Sequence, residues 1–161
     1  MIRFARLCAP TIVVGLVMVF GAGSASGQGS EPLNGTWRLN RAKSTFSPGP
    51  APLSQTVKIE GIDAVRKITV DVTPATGAAQ HWSVSGATGR ELPVVGENPN
   101  ADVYVLTRVN ATTLEAQYMK GGKRTIKQTA IVSPDGRTLT VTARGTDAQE
   151  RPVHDVAVYY K

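Results

Sequence analysis

A chain of 161 residues with a formal charge of +6 and one cysteine has room for one domain and not for several. The lone cysteine excludes a disulfide framework and any zinc site built on thiolates. The basic residues are scattered along the chain, which gives no nucleic-acid footprint.

The first 25 residues read as a secretory signal peptide. Arg3 and Arg6 make a positive start, Leu7 to Phe20 is apolar except for Thr11, and Gly21-Ala22-Gly23-Ser24-Ala25-Ser26-Gly27 is a run of small residues. That order is the one a signal peptidase reads, and the apolar stretch is short of the ~20 residues a permanent spanning helix needs. Cleavage is expected after Ala25, with Ser24 and Gly27 as alternates. It leaves 136 residues (161 less 25), lowers the charge to +4 by removing Arg3 and Arg6, and removes Cys8. The mature protein is therefore expected to be exported, to the periplasm or the cell exterior, and to be cysteine-free. No second apolar span follows, so no transmembrane segment is expected in the mature chain. Residues 26–32 read as a disordered polar leader, and 33–161 as the folded domain.

Gly35 to Asn40 reads as a first short strand with Trp37 and Leu39 on one side. Ser44 to Pro52 holds Pro48, Pro50 and Pro52. Proline lacks a donor and fixes φ, so this stretch is expected to be a connection draped across one end of the domain. Period-2 runs then follow. Gln55 to Glu60 groups Val57 with Ile59, Arg66 to Val72 groups Ile68, Val70 and Val72, and Gln80 to Ser85 groups Trp82 with Val84. Glu91 to Val95 is a weaker candidate. Asp102 to Val109 sets Val103, Val105 and Val109 against Tyr104, Leu106 and Arg108.

The second half is more regular. Thr113 to Met119 groups Leu114, Ala116 and Tyr118. Gly121-Gly122 permits a tight turn with positive φ. Lys123 to Val132 groups Ile126, Ala130 and Val132 with Arg124 and Gln128, and Ser133-Pro134-Asp135-Gly136 is a strong turn signal. Arg137 to Arg144 groups Leu139, Val141 and Ala143. Pro152 to Tyr160 sets His154, Val156, Val158 and Tyr160 against Val153, Asp155, Ala157 and Tyr159.

These runs make an all-β domain of eight to ten strands, rich in β-branched Thr and Val. Periodicity does not separate a sandwich from a barrel. Sequential hairpins with short turns favour an up-and-down meander, and closing it removes the two exposed edges.

Several motifs carry a resemblance: Gly35-Thr36-Trp37-Arg38-Leu39-Asn40, Lys43-Ser44-Thr45-Phe46-Ser47-Pro48-Gly49-Pro50, Ser133-Pro134-Asp135-Gly136-Arg137-Thr138-Leu139-Thr140 and Gly145-Thr146-Asp147. Through them, Leu33 to Tyr160 resembles a family of exported bacterial proteins of lipocalin-like character. The Gly35-x-Trp37 opening is similar, more distantly, to that of lipocalins and fatty-acid-binding proteins. The resemblance implies an antiparallel up-and-down barrel of eight to ten strands, with Gly35 and Trp37 closing one end. The chain also departs from those groups. The last strand, Val156 to Lys161, has no arginine to pack over the Trp and no Arg-x-Tyr pair for a ligand carboxylate. The Pro-rich stretch cannot supply a helical lid.

No catalytic constellation emerges, and the chain is not read as an enzyme. The mature region offers His81 and His154 and no Cys, which is too few ligands for a dedicated metal site, and no cofactor motif occurs. No Gly-x-Ser-x-Gly elbow is present, and adjacent His154 and Asp155 point to opposite faces of a strand. The expected role is noncatalytic binding of a small apolar or amphipathic ligand. Trp82, Tyr104, Leu106, Arg108 and Tyr118 are the wall residues, being large side chains beside one cation on β surfaces. The alternative is a structural or protein-interaction module with a filled interior, and cavity volume separates the two.

Overall fold

The computed structural model describes residues 31–161. The expected signal peptide, and the leader as far as Ser30, lie outside the described residues.

Each period-2 run forms a strand: β1 (Gly35–Leu39), β2 (Ser54–Ile62), β3 (Val65–Thr73), β4 (Gln80–Ala87), β5 (Glu91–Pro93), β6 (Val95–Gly96), β7 (Val103–Arg108), β8 (Thr113–Lys120), β9 (Lys123–Val132), β10 (Thr138–Thr146) and β11 (Pro152–Tyr160). All belong to one antiparallel sheet in the order β5-β7-β8-β9-β10-β11-β1-β2-β3-β4-β6. The last strand returns to pair with the first, Leu39 opposite Tyr159. The two ends of the order, β5 and β6, are neighbours in the chain. β5 pairs with β7 and β6 pairs with β4, so one segment bridges both edges and nearly closes an up-and-down barrel.

That segment is why eleven strands form where eight to ten were expected. Pro93 withholds a ladder donor, and the chain then changes partner: Val94 still donates to Asp102 of the β7 side at 2.9 Å, whereas Glu97 donates to His81 of β4 at 2.9 Å. Gly96 makes the change possible. Its φ is +105°, and a Cβ there would stand 2.3 Å from the His81 carbonyl oxygen. A side chain would push the segment off β4.

One end of the barrel is sealed. Leu33 and Trp37 are fully buried there, and the Trp37 indole N–H donates to the Leu33 carbonyl at 3.0 Å. The Lys161 ammonium lies 4.6 Å from the Trp37 ring centroid. The last strand has no arginine for this place, and the residue just beyond it supplies the cation instead. Gly35 leaves room for it, because a Cβ at that position would come 2.7 Å from Lys161 Cε.

The same end holds a charge cluster. Glu31 accepts from Nη1 and Nη2 of Arg108, each at 2.9 Å, and from Nη2 of Arg66 at 3.2 Å. Arg66 projects from the inward register of β3 and is completely buried. Its charge is tolerated because a carboxylate reaches it.

The opposite end is the mouth, where the connections after β1, β3, β6 and β10 gather. The Pro-rich stretch crosses it as expected. It is tied to β11 by the reciprocal Thr45–Val156 pair, 2.8 Å in each direction, and by the bond from His154 N–H to the Ser47 carbonyl at 2.7 Å. The one helical element among the described residues is the 3-10 turn Arg41–Lys43.

The buried Glu31 cluster has a direct consequence for stability. Glu31→Ala strands a fully buried guanidinium and is expected to cost about 3 kcal/mol, read as a shift in the urea unfolding midpoint. Lys58→Ala, which removes an exposed pair with Glu60, is expected to leave the midpoint where it is.

Candidate functional site

The barrel interior is three spaces in line. The innermost is about 70 Å³, room for a few waters and little more. Its lining, among the described residues, carries no charge and is mostly aliphatic, with Ile59, Ile68, Leu114 and Leu139 prominent. The middle space is about 210 Å³. It shares Gln55, Trp82, Tyr118 and Gln128 with the inner one. The outermost is the mouth, about 560 Å³, which shares Val72, Gln80, Pro99, Asn100, Ile126 and Asp155 with the middle space. Neighbouring spaces thus share walls, and they shrink from mouth to floor.

The floor of the middle space is aromatic. The rings of Tyr104 and Tyr118 stack, with centroids 4.0 Å apart and planes at 23°. The Tyr104 hydroxyl accepts from the Trp82 indole N–H at 3.2 Å and from the Asn98 amide at 2.9 Å. These residues stand on either side of the closing segment: Trp82 on β4, Asn98 just after β6, Tyr104 on β7. The network that lines the floor therefore also staples the seam. Burial pushes the Tyr104 hydroxyl up to about 12 and the Tyr118 hydroxyl well above its ordinary range. Burial, aided by the nearby Asp155 charge, also raises Tyr159. All three stay neutral hydrogen-bonding groups at physiological pH.

One carboxylate faces the middle space. Asp155 shares the inward register of β11 with Val153, Ala157 and Tyr159 and lines both the middle space and the mouth. Its Oδ1 accepts from the Ser47 N–H at 2.9 Å. Burial raises its pKa; the Ser47 bond and the neighbouring His154 offset part of that rise. His154 is exposed on the other face of the strand. The mouth adds Asp147 and Arg151, which pair with each other at 2.7 Å.

Of the residues singled out from sequence, Trp82 and Tyr118 line both the middle and the inner space, and Tyr104 lines the inner one alone. Leu106 and Arg108 do not join them. They follow Tyr104 on the same face of β7, but that strand runs from the mouth to the sealed end, and each step of two residues descends ~7 Å. Leu106 is fully buried below the floor, and Arg108 is held by Glu31. Sequence reasoning did not select Asp155, Gln128, Gln55, Gln80, Asn98 or Asn100. A signal existed for two of them. Asp155 sits in register with Val153, Ala157 and Tyr159, and Gln128 with Ile126, Ala130 and Val132. A polar residue on an otherwise apolar strand face marks an interior polar group. The histidines stand apart from the bore. His81 lies 2.7 Å from Asp71, both on the exposed outer face. Among the described residues no three of His, Cys, Asp and Glu converge as a metal site would require.

The chain matches no protein-family model. Over 96 residues, 59% of the chain, it is 28% identical to the sporulation-killing factor biosynthesis protein SkfC of Bacillus subtilis (strain 168), and the match spans 18% of that protein's length. Among solved structures it is similar to zebrafish ileal bile acid-binding protein complexed with cholic acid. The TM-score is 0.50 with 13% sequence identity, over 81% of this chain and 98% of that one. The shared fold is an antiparallel up-and-down barrel. At this identity the likeness is one of backbone path, and the two sets of lining residues are to be compared on their own chemistry.

The half-buried carboxylate of Asp155 is a stability liability. Its folded pKa is raised above the ordinary value of 3.8, so ionisation favours the unfolded chain. The penalty is absent below the unfolded pKa and grows as pH rises through the folded one. Asp155→Asn is therefore expected to raise the thermal midpoint at pH 7. That gain should disappear below about pH 4. Differential scanning calorimetry at pH 7 and pH 3.5 checks both signs.

Proposed function

We propose that this protein is a noncatalytic, exported binding barrel that takes up a small amphipathic molecule through its mouth. The observation that carries the reading is the adjoining mouth and middle space, whose larger part is within the range of small-ligand pockets and whose walls mix amides with apolar and aromatic groups. Gln80, Gln128, Asn98 and Asn100 offer donors and acceptors. Trp82, Tyr118, Val72 and Ile126 offer apolar surface. A molecule with one polar and one apolar part satisfies both, its apolar end resting on the aromatic floor. The inner space is too small to take part. The cholic acid complex of the zebrafish barrel supports the reading, as a case of the same fold holding an amphipathic molecule.

A second reading rests on the small inner space. A lower half packed this closely suits a module that works through its outer surface, with the mouth as a mere rim. Native mass spectrometry of the protein purified from its own host separates the two. A stoichiometric small-molecule adduct is expected. Ala143→Trp, which fills the middle space, is expected to abolish it while the β-sheet circular dichroism is retained. A protein partner in place of an adduct favours the second reading. Export is checked on the same material, whose N-terminus is expected at Ser26.

A further inference from the structure

We infer that the binding space selects a cation: a small amine or quaternary ammonium head set against Asp155, with its apolar part on Trp82 and Tyr118. This rests on the carrier reading above and adds the charge of the ligand to it.

The chain as a whole carries +6, yet the one formal charge lining the middle space, among the described residues, is the carboxylate of Asp155. The mouth contributes one more acid and one base, and these neutralise each other in the Asp147–Arg151 pair. Among the described residues, no lysine or arginine lines the middle space. Arg66 and Arg108 lie on Glu31, and Lys161 lies over Trp37, all at the sealed end. A ligand carboxylate in the middle space would therefore meet a like charge and no cationic side chain in the lining.

Asp155 itself is under-satisfied. A carboxylate offers about four acceptor sites, and one described bond, from the Ser47 N–H, reaches it. Among the described residues no salt bridge involves it. A half-buried carboxylate without a counter-ion costs free energy, and an arriving ammonium group offsets that cost by supplying the missing charge. Aromatic side chains in the same space favour the same ligand, since a cation beside Trp or Tyr gains from the ring quadrupole. Gln55, Gln80 and Gln128 are neutral and adapt to donor or acceptor, so they do not oppose it.

The test uses three probes that differ in their heads: octyltrimethylammonium, octanol and octanoate, each titrated calorimetrically into the mature protein. Octyltrimethylammonium is expected to bind at least about tenfold more tightly than octanoate, the equivalent of about 1.4 kcal/mol. In Asp155→Asn the ratio of cation to octanol affinity is expected to fall by about the same factor. Asp155→Glu is expected to restore part of it. Should octanoate bind as tightly as the cation while octanol binds, the charge inference is overturned and the carrier reading stands. An unchanged ratio in Asp155→Asn overturns the assignment to Asp155. If none of the three binds and the native protein carries no adduct, both readings fall together. Calorimetric unfolding of each variant reports on folding, so a lost ratio in a folded protein is not mistaken for a collapsed barrel.

Discussion

A meander of antiparallel hairpins ends in two unpaired edges, and in this barrel both edges meet on Glu91–Gly96. Pairing with β7 over Glu91–Pro93 and with β4 over Val95–Gly96 satisfies backbone groups that would otherwise recruit another chain. The floor of the bore is built on this closure. Trp82, Asn98 and Tyr104 come from three elements that only the closing segment brings side by side, and their hydrogen bonds span the seam. A molecule resting on that floor touches the residues that hold the ring shut. On the proposed carrier role, occupancy and barrel stability would be thermodynamically linked, and substitutions at Gly96 or Asn98 would act on both at once.

The interior divides its labour along the axis. The lower half is filled by large aliphatic and aromatic side chains from almost every strand, with Leu33, Trp37, Leu106 and Leu139 fully buried. Close packing of that kind supplies most of a domain's stability. The upper half is free to be polar because the lower half bears the hydrophobic burden. Charge is divided in the same way. Guanidinium groups gather at the sealed end under Glu31, while a single carboxylate looks into the middle space.

Strand positions were legible in the sequence because alternation reports which face a residue occupies. Leu114, Ala116 and Tyr118 turn inward together, as do Ile68, Val70 and Val72. Alternation does not report depth. Tyr104, Leu106 and Arg108 share a face, yet they stand at the floor, below it and at the sealed end, since a barrel strand traverses the whole axis. Partner switching was equally hidden. Glu91 to Val95 reads as one weak strand, and only the three-dimensional ring shows that the segment serves two neighbours. Ion pairs between distant positions leave no local signature either. Glu31 and Arg108 are separated by 77 residues and meet because β7 ends where the chain enters the domain.

The rim explains how an open mouth stays shaped without a helical lid. The stretch from Ser44 to Pro52 lacks a donor at every second residue from Pro48 on, which breaks a strand ladder there, and its prolines restrict the conformations it samples. It is anchored at Thr45 and Ser47 to the outward register of β11, and the Ser47 N–H turns inward to the Asp155 carboxylate. One residue of the rim thus holds β11 twice, its carbonyl on the His154 backbone N–H along the strand's edge and its N–H on the Asp155 carboxylate. The carboxylate that faces the chamber is thereby fixed in place before anything binds, which lowers the ordering cost of recognition. A preorganised rim and a rigid floor leave the width of the bore between them as the feature that sets what can enter.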